Sequence, residues 1–126
     1  MERFLLVCLG GAAGTGARYL IGLWAGHRLG GSFPAGTLIV NVVGCFAIAL
    51  IMHVALRTEL APNLRLALTT GFMGGLTTYS AFNYETTRLL EEGATRIALV
   101  NVGATTVGCF LAGLAGLALA RRLVGA

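Results

Sequence analysis

Residues 66 to 84 carry no charged side chain, a run about long enough to cross a bilayer as a helix, yet its centre reads Gly74-Gly75-Leu76-Thr77-Thr78. Two adjacent glycines followed by two β-branched threonines are poor helix material. In hydrocarbon every backbone N–H and C=O needs a partner, so an interrupted helix is tolerated only where protein or water covers the groups it exposes. A break at mid-membrane depth therefore offers backbone groups to something else, an ion among the candidates.

Three further stretches are equally apolar: residues 4 to 26, interrupted by Arg18 alone, residues 29 to 56 and residues 97 to 120. Charged residues make up 11% of the chain and mean hydropathy is +0.83, where an ordinary soluble domain is about 25% charged. The expected fold is an all-α membrane protein in a lipid bilayer. It has four transmembrane helices, near 4–26, 36–56, 64–89 and 96–120, in a single domain over residues 1–126. The first segment has one Arg and one Glu ahead of it and no Ala-x-Ala site behind a short apolar core, so it is expected to be a retained helix rather than a signal peptide. Cys8, Cys45 and Cys109 all fall in apolar segments, without metal-ligand spacing or a disulfide framework, and Cys8 is read as a small packing residue. No nucleotide motif, catalytic triad or metal-hydrolase cluster is present. Neither enzymatic activity nor a nucleic-acid partner is expected.

Four spans place both termini on one side of the membrane. That side collects Arg3, Arg57, Arg65, Arg121 and Arg122; the other collects Arg28, Arg88 and Arg96, with Arg18 if it snorkels that way. Basic residues set orientation, and five against three or four is a weak bias. Two readings stand: insertion in both directions with antiparallel pairing of two copies, or one orientation that the count does not resolve. The 19 glycines include Gly10-x3-Gly14, Gly22-x3-Gly26 and Gly71-x3-Gly75. Such spacings let membrane helices approach closely, between subunits or within one.

Several polar residues fall inside the apolar segments. Arg18 follows Gly10 and Gly14 at four-residue steps; it either has a specific buried role or snorkels to an interface. Asn41 shares a helix face with Gly44 and Cys45, and either bridges helices or donates its amide to an anion. Thr105, Cys109 and Gly113 repeat every four residues, as a hydrogen-bonding track or a packing seam. Beyond the break, Tyr79, Phe82 and Thr86 share one face. Aromatic edges are electropositive and suit a small anion without trapping it as a full positive charge would; packing is the plainer alternative. Glu85 lies three residues past Phe82, where it either pairs with Arg88 or marks the water boundary.

Taken in order, these residues resemble the fluoride channel family called Fluc or CrcB. The resemblance extends over essentially the whole chain. It is strongest at Thr69-Thr70-Gly71-x-x-Gly74-Gly75-Leu76-Thr77-Thr78-Tyr79-Ser80-x-Phe82, and is supported by Gly10-Gly11-x-x-Gly14 with Arg18-Tyr19 and by Gly36-Thr37-Leu38-x-Val40-Asn41-x-x-Gly44. It implies a dual-topology dimer of antiparallel four-helix subunits with two pores, and passive, selective export of fluoride across the bacterial inner membrane. It also implies a structural sodium ion (Na+) held on the twofold axis by backbone carbonyls at the helix-three break, here those of Gly74 and Thr77 from both copies. The implied pathway residues are Asn41, Tyr79, Ser80, Phe82, Thr105 and Cys109; the spacing itself offers Arg18 and Glu85 as candidate structural or vestibule charges. The family places phenylalanine where this chain has Tyr79, and a hydroxyl where it has Cys109.

The alternative reading is a small proton-coupled exporter of the multidrug-resistance type, which shares this size and can adopt dual topology. Such exporters resemble one another in needing a carboxylate within the first helix. Here Glu2 is terminal and Glu85 lies late in the third apolar segment. A non-transporting assembly subunit is a further alternative.

Overall fold

The computed structural model describes residues 1–125. Those residues are helical or connecting loop, with no strand among them. α1 spans Glu2–Leu29, α2 spans Ala35–Arg57 and α6 spans Thr95–Val124. These three are long and apolar enough to cross a membrane. At about 1.5 Å per residue each exceeds the roughly 30 Å hydrocarbon layer. All three extend past the expected boundaries by a residue or more at each end, so the charged ends Glu2, Arg28, Arg57 and Arg121 to Arg122 are carried as helix.

The region expected to form the remaining span, 64–89, is not one helix. α3 (Pro62–Leu66) opens with Pro62, whose fixed φ and missing N–H suit a first helical turn. It runs into a π-helical segment, Ala67–Met73, and then a single α turn, α4 (Gly74–Leu76). Thr77 and Thr78 are extended, with φ/ψ of −83°/152° and −154°/115°. Helix resumes as α5 (Tyr79–Glu91). The glycine pair itself remains helical; the chain opens at the two threonines that follow, whose β-branched side chains fit extended backbone better than helix. The widened segment upstream contains Thr69, whose hydroxyl bonds back to the Arg65 carbonyl at 2.8 Å and so competes with the helical ladder.

Small residues set how these pieces pack. A Cβ on Gly14 would collide with the Phe72 carbonyl, and one on Gly75 with the Gly11 carbonyl, so α1 lies with its backbone directly on the π segment and α4. The same holds across α2 and α6, where a Cβ on Gly116 would strike the Phe46 carbonyl. Lipid tails give apolar helices no reason to prefer each other, and close backbone approach supplies the van der Waals contact instead. A small buried cluster of Val40, Met73 and Leu76 joins the layers beside the break. The ends are tied by polar contacts: Asn63 accepts from Arg3 Nε at 3.2 Å and donates to Glu2 Oε1 at 2.9 Å.

Candidate functional site

The break is held by Asn41. Its Oδ1 accepts from the Thr78 N–H at 2.7 Å and its Nδ2 donates to the Thr78 carbonyl at 3.0 Å. In a continuous α-helix that N–H would bond the Gly74 carbonyl. One buried amide thus replaces both of the hydrogen bonds that an extended residue inside a helix loses. The neighbouring face of α2 completes the seat, since a Cβ on Gly44 would collide with Thr77 Cγ2. Thr77 bonds back to Met73 O through both its N–H, at 3.0 Å, and its hydroxyl, at 2.9 Å. Thr78 then caps α5, its hydroxyl accepting from Ala81 N–H at 3.1 Å.

The arrangement leaves backbone oxygens uncommitted. Thr78 N–H is turned away from the Gly74 carbonyl, and no backbone donor among the described residues is bonded to Thr77 O. Gly74 is exposed, with nothing within 4 Å of where a side chain would begin. The donor set is neutral oxygen, which hard cations prefer.

Five of the six pathway residues expected from sequence converge. Asn41, Tyr79, Phe82, Thr105 and Cys109 line one cavity of about 360 Å³ together with Cys45, Thr77, Thr78 and Thr106. The Tyr79 and Phe82 ring centroids are 5.5 Å apart with planes inclined at 54°. Phe82 is buried, whereas Tyr79 is 78% exposed and faces outward from the subunit. Ser80 does not line this cavity; its hydroxyl lies 3.1 Å from that of Thr78. Thr105 is buried and donates to Asn101 Oδ1 at 3.5 Å; Asn101 Nδ2 donates to Thr86 Oγ1 at 2.9 Å, and Thr86 Oγ1 to Phe82 O at 2.7 Å. This ladder ties α6 to the aromatic face of α5.

Glu85 does not pair with Arg88. Its Oε1 accepts from Thr37 Oγ1 of α2 at 2.8 Å, while Oε2 is buried without a partner. Arg88 pairs with Glu92 at 2.7 Å, an exposed contact one turn on. Glu85 borders two small cavities, of about 230 and 170 Å³, between the end of α5 and the α1–α2 loop. Arg18 is half-buried on α1, and among the described residues no carboxylate forms an ion pair with it.

Sequence reasoning missed Thr78, Asn101 and Thr37. Thr78 is a helix-capping residue type directly ahead of a new helix, and Asn101 is a lone amide four residues before Thr105 in an uncharged run, so both carried a readable signal. Thr37 stands 48 positions from its partner, and no local pattern marks it.

Fold and site together define a multi-pass membrane protein, helical throughout its described residues, with a largely apolar cavity, edged by an amide and hydroxyls, beside an interrupted helix. A family profile described as "CrcB-like protein, Camphor Resistance (CrcB)" matches residues 5–117. The chain is 53% identical over 126 residues to a protein named "Fluoride-specific ion channel FluC" from Anaeromyxobacter sp. (strain K), covering 99% of this chain and 100% of the relative. A protein of the same name from Sorangium cellulosum (strain So ce56) is 52% identical over 125 residues, 98% of each chain. One from Geobacter metallireducens is 50% identical over 124 residues, covering 98% and 100%. The chain belongs to the CrcB family. Its relatives are named as ion channels, a non-enzymatic function.

Proposed function

We propose that this protein is a passive, fluoride-selective channel that exports the anion from the bacterial cytoplasm across the inner membrane. The observation that carries the reading is identity of about half the residues, over nearly the whole of both chains, to proteins named fluoride-specific ion channels. The geometry supplies a mechanism. Fluoride holds its water tightly, so a pore must replace hydration with donors of matched strength and still release the ion. Phe82 and Tyr79 line the same cavity as Thr105 and Asn41, and the electropositive edges of aromatic rings suit a small anion. Asn41 holds the Thr78 carbonyl with Nδ2 and keeps one further amide hydrogen to donate. A negative interior potential drives the anion outward without coupling to protons.

The working unit on this reading is two antiparallel copies, each with four membrane crossings, the third being the interrupted run from Pro62 to Glu91. Tyr79, exposed although its neighbour Phe82 is buried, and the open carbonyl side at Gly74 both support a partner at this face. The weak arginine bias supports insertion in both directions. The carbonyls of Gly74 and Thr77, doubled by the partner, would hold a structural sodium ion fastening the crossed breaks. On this reading Arg18 and Glu85 serve as structural or vestibule charges.

The test is efflux from proteoliposomes read with a fluoride electrode, driven by a potassium gradient with valinomycin. Rapid fluoride release that is indifferent to a proton gradient is expected. Release that requires a proton gradient and Glu85 would make the protein an exporter instead, and no release of fluoride would overturn the reading.

A further inference from the structure

A groove of about 520 Å³ opens between α2 and α6. Ile48, Met52 and Leu56 form one wall and Phe110, Leu114 and Leu117 the other; Ala49 and Gly113, with little or no side chain, leave the room between them. At its inner end are Cys45 and Cys109, which also border the cavity beside the break, and at its outer end are His53 and Leu56, near the C-terminus of α2. From Cys45 to Leu56 a helix rises about 16 Å, close to half of a hydrocarbon layer roughly 30 Å thick. The groove therefore has the depth of one leaflet and stops level with the break, which is the reach of an acyl chain. A membrane-spanning helix of a second copy laid in it would run on past that inner end.

The outer end is basic. Arg57 stands four residues after His53 on α2 and Arg121 four residues after Leu117 on α6, so each continues a wall of the groove by one helical turn. Both are exposed, and neither is ion-paired among the described residues. His53 Nε2 donates to the Gly125 carbonyl at 3.0 Å, which ties the end of α6 to α2 at this level. The excess positive charge of the helix ends collects here. Five arginines at this end stand with only Glu2 and Glu59, whereas at the opposite end Arg28, Arg88 and Arg96 are matched by Glu85, Glu91 and Glu92.

We propose that the groove is a binding site for one anionic phospholipid, with an acyl chain between the α2 and α6 walls and the phosphate at Arg57 and Arg121. Apolar contact alone does not set this place apart from other lipid-facing surface, because bulk lipid offers the same contact everywhere. Selectivity comes from the headgroup. Guanidinium forks match phosphate oxygens in geometry and charge, and a zwitterionic headgroup brings a cation that the two arginines repel. Binding itself needs nothing from the channel reading. Its effect on flux does rest on that reading: the inner end of the chain lies against Cys45 and Cys109 and closes the flank of the cavity lined by Phe82 and Thr105.

The test uses purified full-length protein stripped of lipid in detergent, then titrated with phosphatidylglycerol or with phosphatidylcholine of the same acyl chains, bound lipid being counted by native mass spectrometry. One phosphatidylglycerol per chain is expected, at concentrations where phosphatidylcholine does not bind, with a rise in melting temperature from binding to the native state. Arg57→Gln and Arg121→Gln should each weaken binding roughly fivefold; Arg65→Gln, at the same end but on α3, should not. Ala49→Phe, which fills the groove and leaves the arginines in place, should abolish binding. Equal binding of the two lipids, or equal weakening by Arg65→Gln and Arg121→Gln, would overturn the site, since either describes a diffuse attraction. A shift of Ala49→Phe to a smaller species on gel filtration would assign the groove to a second copy and overturn the site as well. If phosphatidylglycerol binds as expected yet fluoride efflux is the same from vesicles with and without it, the site stands and the closure of the cavity falls.

Discussion

Asn41 is the residue on which the interruption depends. Its amide satisfies the N–H and the C=O of Thr78, both in buried hydrogen bonds. A buried backbone group left unpaired costs about 1–3 kcal/mol. Asn41→Ala is therefore expected to lower the melting temperature in detergent and to abolish flux, because α5 and its rings lose their register. Asn41→Asp keeps the acceptor for Thr78 N–H but sets a carboxylate against the Thr78 carbonyl and the anion's path; flux is expected to vanish, and retained conduction would remove Asn41 from the pore wall. The aromatic pair divides differently. Phe82 is buried with its ring on the cavity, so Phe82→Ile, which removes the electropositive edge, should stop fluoride efflux while the protein still assembles. Tyr79 is exposed and none of its bonds within the subunit holds the fold, so Tyr79→Phe should conduct; complete loss would make the hydroxyl a required donor. Efflux rate and gel-filtration profile, measured side by side, separate these outcomes.

At the scale of elements, the interruption is prepared by what lies against it. α1 brings its glycine face onto the π segment, and α2 brings Asn41 and Gly44 onto Thr77 and Thr78. Gly14→Ala would drive a methyl group into the Phe72 carbonyl. Overpacking of this kind costs about 1–3 kcal/mol, and here the strain falls on the segment leading into the break. A lower melting temperature and reduced flux are expected. Gly16→Ala on the same helix, where nothing lies within 4 Å, is the control and should be neutral or slightly stabilising, by up to about 1 kcal/mol from helix propensity. Equal destabilisation by both substitutions would show that the close approach of α1 does not matter. The ladder from Thr105 through Asn101 and Thr86 to the Phe82 carbonyl shows the same logic. A polar track inside an apolar bundle satisfies itself first: even Thr105, on the cavity wall, already donates to Asn101.

At the scale of the whole molecule, the proposed pairing of two copies is argued from what one chain leaves open. Uncommitted carbonyls at Gly74 and Thr77 and an outward-facing Tyr79 lie on surfaces that a partner copy would cover. If a sodium ion is shared there, replacing sodium with N-methylglucamine during purification should lower the thermal stability of the dimer, since any ligand that binds only the native state stabilises it by mass action. Restoring sodium should return the melting temperature, and insensitivity to the exchange would remove the ion from the scheme. Labelling of single cysteines placed near the N-terminus, on intact inverted vesicles, tests orientation: roughly half the sites protected is expected for two-way insertion, and full protection or full exposure would rule it out.

The apolar stretches determined by themselves that the chain is helical and belongs in a membrane, because hydropathy over about 20 residues leaves few other folds. The Gly-Gly-Leu-Thr-Thr centre marked where regular helix would fail, and the three-residue step from Tyr79 to Phe82 placed both rings on one face, because propensity and helical period act locally. What holds the break open was not readable in this way. Asn41 and Thr78 are 37 positions apart, Thr37 and Glu85 are 48 apart, and nothing local pairs them. Nor did local pattern show that the glycines stay helical while the threonines unwind, a choice made by the seat that Gly44 offers Thr77. Local sequence sets which backbone groups can be freed. Only packing between distant helices decides which of them find partners within the chain and which stay uncommitted.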